Sequence, residues 1–270
     1  MTSPRTGRAY LDAVLDEPGS VIAMAHRGGS YHPEIEGLEN TLEAFQHAAA
    51  LGYTYLETDV HATADGVLLA FHDKVLDRVT DLKGPVASLT LAQVREARIG
   101  GRARVPQLAE LFEALPQCRF NIDIKAAGAV SLLADFIAER AAEDRCLIGS
   151  FSHRRLTEFR RLSAGRVATS ASQRETVAMM SAPSQTAVRR LLRSVDAFQI
   201  PHRHLRVKVT TARLVRRAHA LNKHVHVWTI DEAEEMRELL DRGVDGLVTD
   251  RTDTLKSVLL ERGQWRETTT

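Results

Sequence analysis

The chain has 270 residues, 44% of them hydrophobic, with 36 lysines and arginines against 35 acidic residues and a formal net charge of +1. That length suits one large domain, a size α/β barrels often reach, and the apolar share supports a core without disulfide or metal staples. Balanced charge gives no global field to hold nucleic acid, and no basic stripe is expected; no run reaches the ~18 apolar residues of a membrane helix.

The segment from Met1 to Gly19 mixes Arg5, Arg8, Asp12, Asp16 and Glu17 with short apolar stretches. It lacks the apolar core of a secretory signal, so a cytoplasmic protein is expected. Strand-like runs follow at Val21–Ala25, Thr54–Asp59, Val67–His72, Arg119–Ile124, Cys146–Phe151, Arg166–Thr169, Ala197–Ile200, His224–Thr229 and Gly246–Thr249. Amphipathic helical patterns lie between most of them. Asn40 is expected to cap one helix, with Glu43 three residues on and Gly52 ending it. Asp231, Glu234 and Gly243 repeat the arrangement.

Strands alternating with helices imply parallel pairing and right-handed crossovers. Nine candidates compete for eight places in a closed barrel. The tight turn at Ala64-Asp65-Gly66 is too short for a parallel crossover, which takes about a dozen residues. The spacing therefore predicts a (β/α)8 barrel of TIM type, irregular around its second and third strands. An open doubly wound sheet would carry a glycine-rich phosphate loop, and Gly28-Gly29 is too little for one. No linker divides residues 1–270, which read as one domain with an extension over 1–20 and a polar, frayed tail over 262–270. Cys118 and Cys146 are expected to be buried, reduced thiols.

Chemistry gathers at the strand ends. Glu57 and Asp59 are two apart on a strand, so both point to one face, where they repel unless a cation or proton intervenes. A hard divalent ion with oxygen ligands answers that repulsion. Asn121, Asp123 and Lys125 share a face in the same way, while Ile122 and Ile124 turn toward helices. Three polar groups on a buried strand need one another or a ligand. Asp123 can complete a metal shell, and Lys125 offers a point charge to a phosphate oxygen. His26 and His72 end their strands and suit proton removal and donation near neutral pH. Arg27 can fork onto phosphate oxygens.

Several motifs in register resemble the glycerophosphodiester phosphodiesterase family. They are His26-Arg27-Gly28, Glu39-Asn40-Thr41, Glu57-x-Asp59, Asp65-Gly66 with His72-Asp73, Leu76-Asp77-Arg78-x-Thr80, Pro106-x-Leu108-x-Glu110, Asn121 to Lys125, Ser150-Phe151, Trp228-Thr229 and Asp245 to Asp250. The match runs from about Ile22 to Asp250. The resemblance implies a TIM-type barrel that hydrolyses a small-molecule glycerophosphodiester to sn-glycerol 3-phosphate and an alcohol, with one divalent cation, Mg²⁺ or Ca²⁺. It implies His26 and His72 as the acid–base pair, Glu57 and Asp59 as metal ligands, and Arg27 and Lys125 as phosphate ligands.

Two positions depart from the family pattern. Asp123 stands where glutamate is usual, which draws the carboxylate back by roughly 1.5 Å and puts the metal's identity in question. Leu38 replaces the proline before Glu-Asn-Thr, in a longer first loop, Gly29 to Leu38, whose Tyr31, His32 and Ile35 are candidates to cap the substrate's alcohol end. Trp228 is a candidate to stack on glycerol or headgroup, with His224 and His226 as core histidines beneath it. His202 to Arg206 reads as a solvated loop. Two other functions stay open: a lysophospholipase D-like activity, which would need an apolar rim, and an inactive barrel that binds a phosphodiester. The oligomeric state is not legible.

Overall fold

The computed structural model describes residues 3–15, 19–181, 184–204 and 207–266. Leu205 and Arg206 of the expected solvated loop, and 267–270 of the expected tail, lie outside these residues. Nine strands form the main sheet: β1 (Ile22–His26), β2 (Tyr55–Ala62), β3 (Leu68–Ala70), β4 (Arg119–Ile124), β5 (Cys146–Gly149), β6 (Ala168–Thr169), β7 (Ala197–Pro201), β8 (His224–Trp228) and β9 (Gly246–Thr249). Eight are parallel, in the order β6-β5-β4-β2-β1-β9-β8-β7. A parallel bridge between Ser170 and Ala197 joins the two ends. Helices clothe the outside, giving the (β/α)8 barrel.

The ninth candidate is the irregularity. Val67–His72 is trimmed to β3, which folds back antiparallel on the end of β2, pairing Val60 with Ala70 and Ala62 with Leu68. Ala64 to Gly66 is too short for anything but a hairpin, so β3 stands outside the ring. It leads into a satellite cluster of Leu69, Phe71, Leu76, Val86, Val94, Ile99 and Val105.

Period-two alternation sorts every barrel strand. Outward Leu56, Phe120, Ile122, Ile124 and Ile148 join the helix-facing core. Inward Met24, Tyr55, Leu147, Ala168, Ala197 and Val248 fill the lower lumen together with Tyr10, Leu11 and Val14. Within the expected extension, Tyr10 to Val14 are packed in place: the Tyr55 hydroxyl donates to the Tyr10 carbonyl at 2.8 Å, and these side chains stopper the lower end. The described part of the tail is also held. Trp265 packs edge-on against Tyr53, and the Arg266 guanidinium reaches the Ala13 and Val14 carbonyls.

Both expected helix caps are corrected. Thr41 caps Leu42–Ala50 by accepting from the Ala44 N–H. Asn40 sits one residue earlier at φ 58°, its side chain committed to Thr58 and Asp59. Asp231 accepts from the Thr249 hydroxyl and the Asp250 N–H, and the helix Ala233–Asp241 starts after Glu232. In both places a tertiary partner outbids the local cap.

The remaining loop readings also change. His202 is buried and meets Glu235 and Arg242, while Arg203–His204 pairs with Val207–Lys208 in a two-stranded ribbon. Cys118 and Cys146 are buried free thiols, as expected. No helix among the described residues is long and apolar enough to cross a membrane.

Candidate active site

A cavity of about 560 Å³ opens at the C-terminal ends of the strands, lined by His26, Arg27, Glu57, Asp59, His72, Asn121, Asp123, Lys125 and Trp228 among others. The expected catalytic, phosphate-binding and metal-ligating residues, with Trp228, thus all line one space. The register explains the gathering: β2 pairs β4 with Glu57 opposite Asn121 and Asp59 opposite Asp123. Two alternating polar patterns placed in step give four polar side chains on one patch of wall.

His26 ends β1 and Arg27 turns the chain away at φ 49°. Gly28 must follow. Its φ is +90°, and a Cβ there would lie 2.6 Å from the Ala44 Cβ, so the loop can pass helix Leu42–Ala50 only without a side chain.

Both histidines are backed by aspartates. His26 Nδ1 donates to Asp250 Oδ2 at 2.9 Å, and its Nε2 lies 3.8 Å from Glu57 Oε2. Ser30 in turn donates to Asp250 Oδ1 at 2.8 Å. His72 Nδ1 donates to Asp73 Oδ1 at 2.6 Å. With Nδ1 engaged, each imidazole keeps Nε2 for other work. Burial works against a charged His26, but Glu57 and Asp250 outweigh it and raise its pKa.

From Asp73 a string of alternating charges crosses the floor. Arg78 grips Asp73 and Glu39, Arg27 pairs with Glu39 at 3.2 Å and Asp59 at 3.1 Å, and Lys125 sits 2.9 Å from Asp59 and 2.7 Å from Asp123. Burial would raise Asp59, yet Lys125 and Arg27 hold its pKa low. For Glu57 the balance goes the other way, against the pull of His26, Arg27 and Lys125. Burial and the neighbouring Asp59 charge push it up to about 7. Hydrogen bonds from Arg78 and His72 overcome partial burial and bring Asp73 down to about 2.

The donor set suits an oxygen-seeking cation. Asn121 Oδ1 and Asp123 Oδ1 are buried without a hydrogen-bond partner, and Glu57 carries a carboxyl that resists ionising beside Asp59. As the side chains stand, the Lys125 ammonium lies between Asp59 and Asp123, and no three acidic, histidine or cysteine side chains among the described residues converge on one metal position.

The first loop does not cap the cavity. Ile35 and Leu38 are buried in the satellite cluster, His32 packs at a tilt against His47 with ring centres 4.4 Å apart, and Tyr31 is exposed to solvent. An apolar wall comes instead from Phe151, Ala171, Val177, Met180, Ile200, Pro201 and Val209. Phe151 meets Trp228 edge-on at 5.7 Å, and Lys125 Nζ lies 5.8 Å from the Phe151 ring centre. Sequence reasoning missed this wall because its members come from separate loops. It also missed the Asp250–His26 pairing, although Asp250 closes a quoted motif. On β8, Trp228 faces the cavity and His226 lies fully buried below it, its pKa lowered to about 3 by burial and by His224.

The model of the glycerophosphoryl diester phosphodiesterase family matches residues 26–254. The Mycobacterium tuberculosis protein named "Probable glycerophosphodiester phosphodiesterase 2" is 44% identical over 92% of this chain and 94% of its own. A solved chain from Silicibacter pomeroyi superposes with a TM-score of 0.79 at 26% identity, covering 95% of this chain and 99% of that one. An Oleispira antarctica phosphodiesterase, solved in complex with the product sn-glycerol-3-phosphate, shares the fold with a TM-score of 0.71 at 21% identity, over 88% of this chain and 96% of that one.

Proposed function

The chain belongs to the glycerophosphoryl diester phosphodiesterase family, and from that membership we propose that it hydrolyses glycerophosphodiesters to sn-glycerol 3-phosphate and an alcohol by general acid–base catalysis between His26 and His72. The carrying observation is that both aspartate-backed imidazoles, two cationic side chains and three carboxylates line a single cavity.

The diester's phosphate lies against Arg27 and Lys125, which both line the cavity. Both are held there by carboxylates, so they are preset for an anion at little further ordering cost. One histidine takes a proton from the attacking group, either water or the substrate's own 2-hydroxyl, as its oxygen bonds to phosphorus, and the other donates one to the departing alkoxide; on the 2-hydroxyl route water then opens the cyclic phosphate. Asp250 and Asp73 fix which ring nitrogen performs each transfer. Trp228 and Phe151 border the organic part of the substrate.

Glu57, Asp59 and Asp123 are the residues that would hold a divalent cation, Mg²⁺ or Ca²⁺. Such an ion, when bound, polarises a phosphoryl oxygen and offsets developing negative charge. The decisive experiment follows glycerol 3-phosphate release from choline, ethanolamine, glycerol and inositol diesters, after chelation and with each cation restored. Absence of product under all conditions defeats the reading.

A lysolipid substrate is a second reading, favoured by the apolar wall from Phe151 to Val209. Turnover of a lysophospholipid with none of glycerophosphocholine would establish it over the first.

A further inference from the structure

The near-zero net charge hides a lopsided molecule. Residues 151–223 carry sixteen lysines and arginines against three acids, and the rest of the chain is correspondingly acidic. The expectation that no basic stripe exists is therefore corrected. These residues supply β6, β7 and the helices His153–Leu162, Gln173–Ser181, Gln185–Leu191 and Ala212–His219, which clothe one continuous side of the barrel. Two of the three acids are consumed internally, Glu175 by Arg160 and Asp196 by Arg8. Glu158 is the one left exposed.

The upper part of this side borders the catalytic mouth. Arg154, Arg174 and Arg213 each stand in the first turn of a helix that follows a barrel strand, hence at the cavity's end of the molecule. All three are exposed, and none has an ion-pair partner among the described residues. Phe151, Val177 and Met180 line the cavity and are 62%, 57% and 48% exposed; Phe151 lies three residues before Arg154 in the chain, and Val177 and Met180 share a helix with Arg174. Large exposed apolar side chains at the cavity, on the same end of the barrel as unpaired arginines, mark an interaction surface.

We propose that this rim is a docking surface for anionic phospholipid bilayers, which holds the cavity mouth against the membrane. The chemistry selects a lipid surface over a nucleic acid: arginines meet phosphate headgroups while Val177, Met180 and Phe151 enter the acyl boundary. A duplex would leave those three apolar groups against charged backbone. The remaining arginines on the flank, among them Arg161, Arg190 and Arg216, add long-range attraction that salt screens.

Co-sedimentation of the full chain with vesicles tests this. Binding is expected to phosphatidylcholine vesicles containing phosphatidylglycerol, weak binding to phosphatidylcholine alone, and release in high salt. Each exposed arginine near a charged surface contributes roughly fivefold, so the Arg154→Glu, Arg174→Glu, Arg213→Glu triple variant should lose on the order of a hundredfold in vesicle affinity. Its turnover of soluble glycerophosphocholine should match the parent, which also reports that it folds. Val177→Ser with Met180→Ser should weaken vesicle binding that persists at moderate salt. Equal binding to neutral and anionic vesicles, no loss in the triple variant, or affinity for duplex DNA equal to that for vesicles would each overturn the proposal. Vesicle binding needs no turnover, so its failure is distinct from a failure of hydrolysis.

Discussion

Asp250 Oδ2 stands 2.9 Å from Nδ1 of His26, although 224 residues of chain separate them. Strands β1 and β9 are neighbours in the barrel, pairing Ala25 with Thr249, so each residue is the next beyond a paired position. The pairing orients the ring and favours its charged form. Burial pulls His26 down, while Glu57, then the Asp250 hydrogen bond and charge, raise it above its ordinary value.

Asp250→Asn is therefore expected to lower the His26 pKa and to move the corresponding limb of the kcat/KM profile to lower pH. Turnover should fall by roughly 10²-fold. A pH–rate series together with NMR titration of His26 measures both. Profiles that superimpose on the parent's would leave Asp250 a purely structural role.

His26→Ala and His72→Ala should each cost about 10²–10⁴ in kcat, the usual worth of a positioned proton-transfer group. Steady-state kinetics on glycerophosphocholine decides it, with circular dichroism to show that the variants fold. A variant of near-normal rate takes its histidine out of the mechanism.

Glu57 links the site to pH. Its folded pKa is raised from 4.5 to about 7 by burial and Asp59, so the native state binds its proton more tightly than the unfolded chain. Its contribution to stability is complete below pH 4.5 and is lost as pH rises through about 7. Because a metal ligand must be deprotonated, adding Ca²⁺ or Mg²⁺ should release close to one proton at pH 6 and far less at pH 8. Calorimetry in buffers of different ionisation enthalpy counts those protons. Equal release at both values, or no cation binding at all, contradicts the assignment.

Gly28→Ala should destabilise the fold by about 1–3 kcal/mol, because a left-handed φ of +90° is joined to a 2.6 Å approach to Ala44. Urea denaturation gives the difference. An unchanged midpoint would mean that the loop relocates at no cost.

The inward faces of β2 and β4 were legible because period-two alternation leaves Glu57, Asp59, Asn121 and Asp123 nowhere else to point. The barrel was legible for the same reason, and the surplus strand revealed itself by the shortness of Ala64 to Gly66. Helix caps were not. Asn40 has the chemistry of a cap, but its amide donates to Asp59 at 3.1 Å and accepts from Thr58 at 2.7 Å, partners that the local sequence does not announce. The apolar rim was illegible for a related reason. Phe151, Val177 and Met180 look like ordinary core residues until folding leaves them in water.

The stopper formed by Tyr10, Leu11 and Val14 beneath the strands makes the catalytic chamber a cul-de-sac. With that end filled, substrate is expected to enter and products to leave at the C-terminal ends of the strands, where the cavity lies. Under the proposed reaction, glycerol 3-phosphate left inside would compete with the incoming diester for the same space.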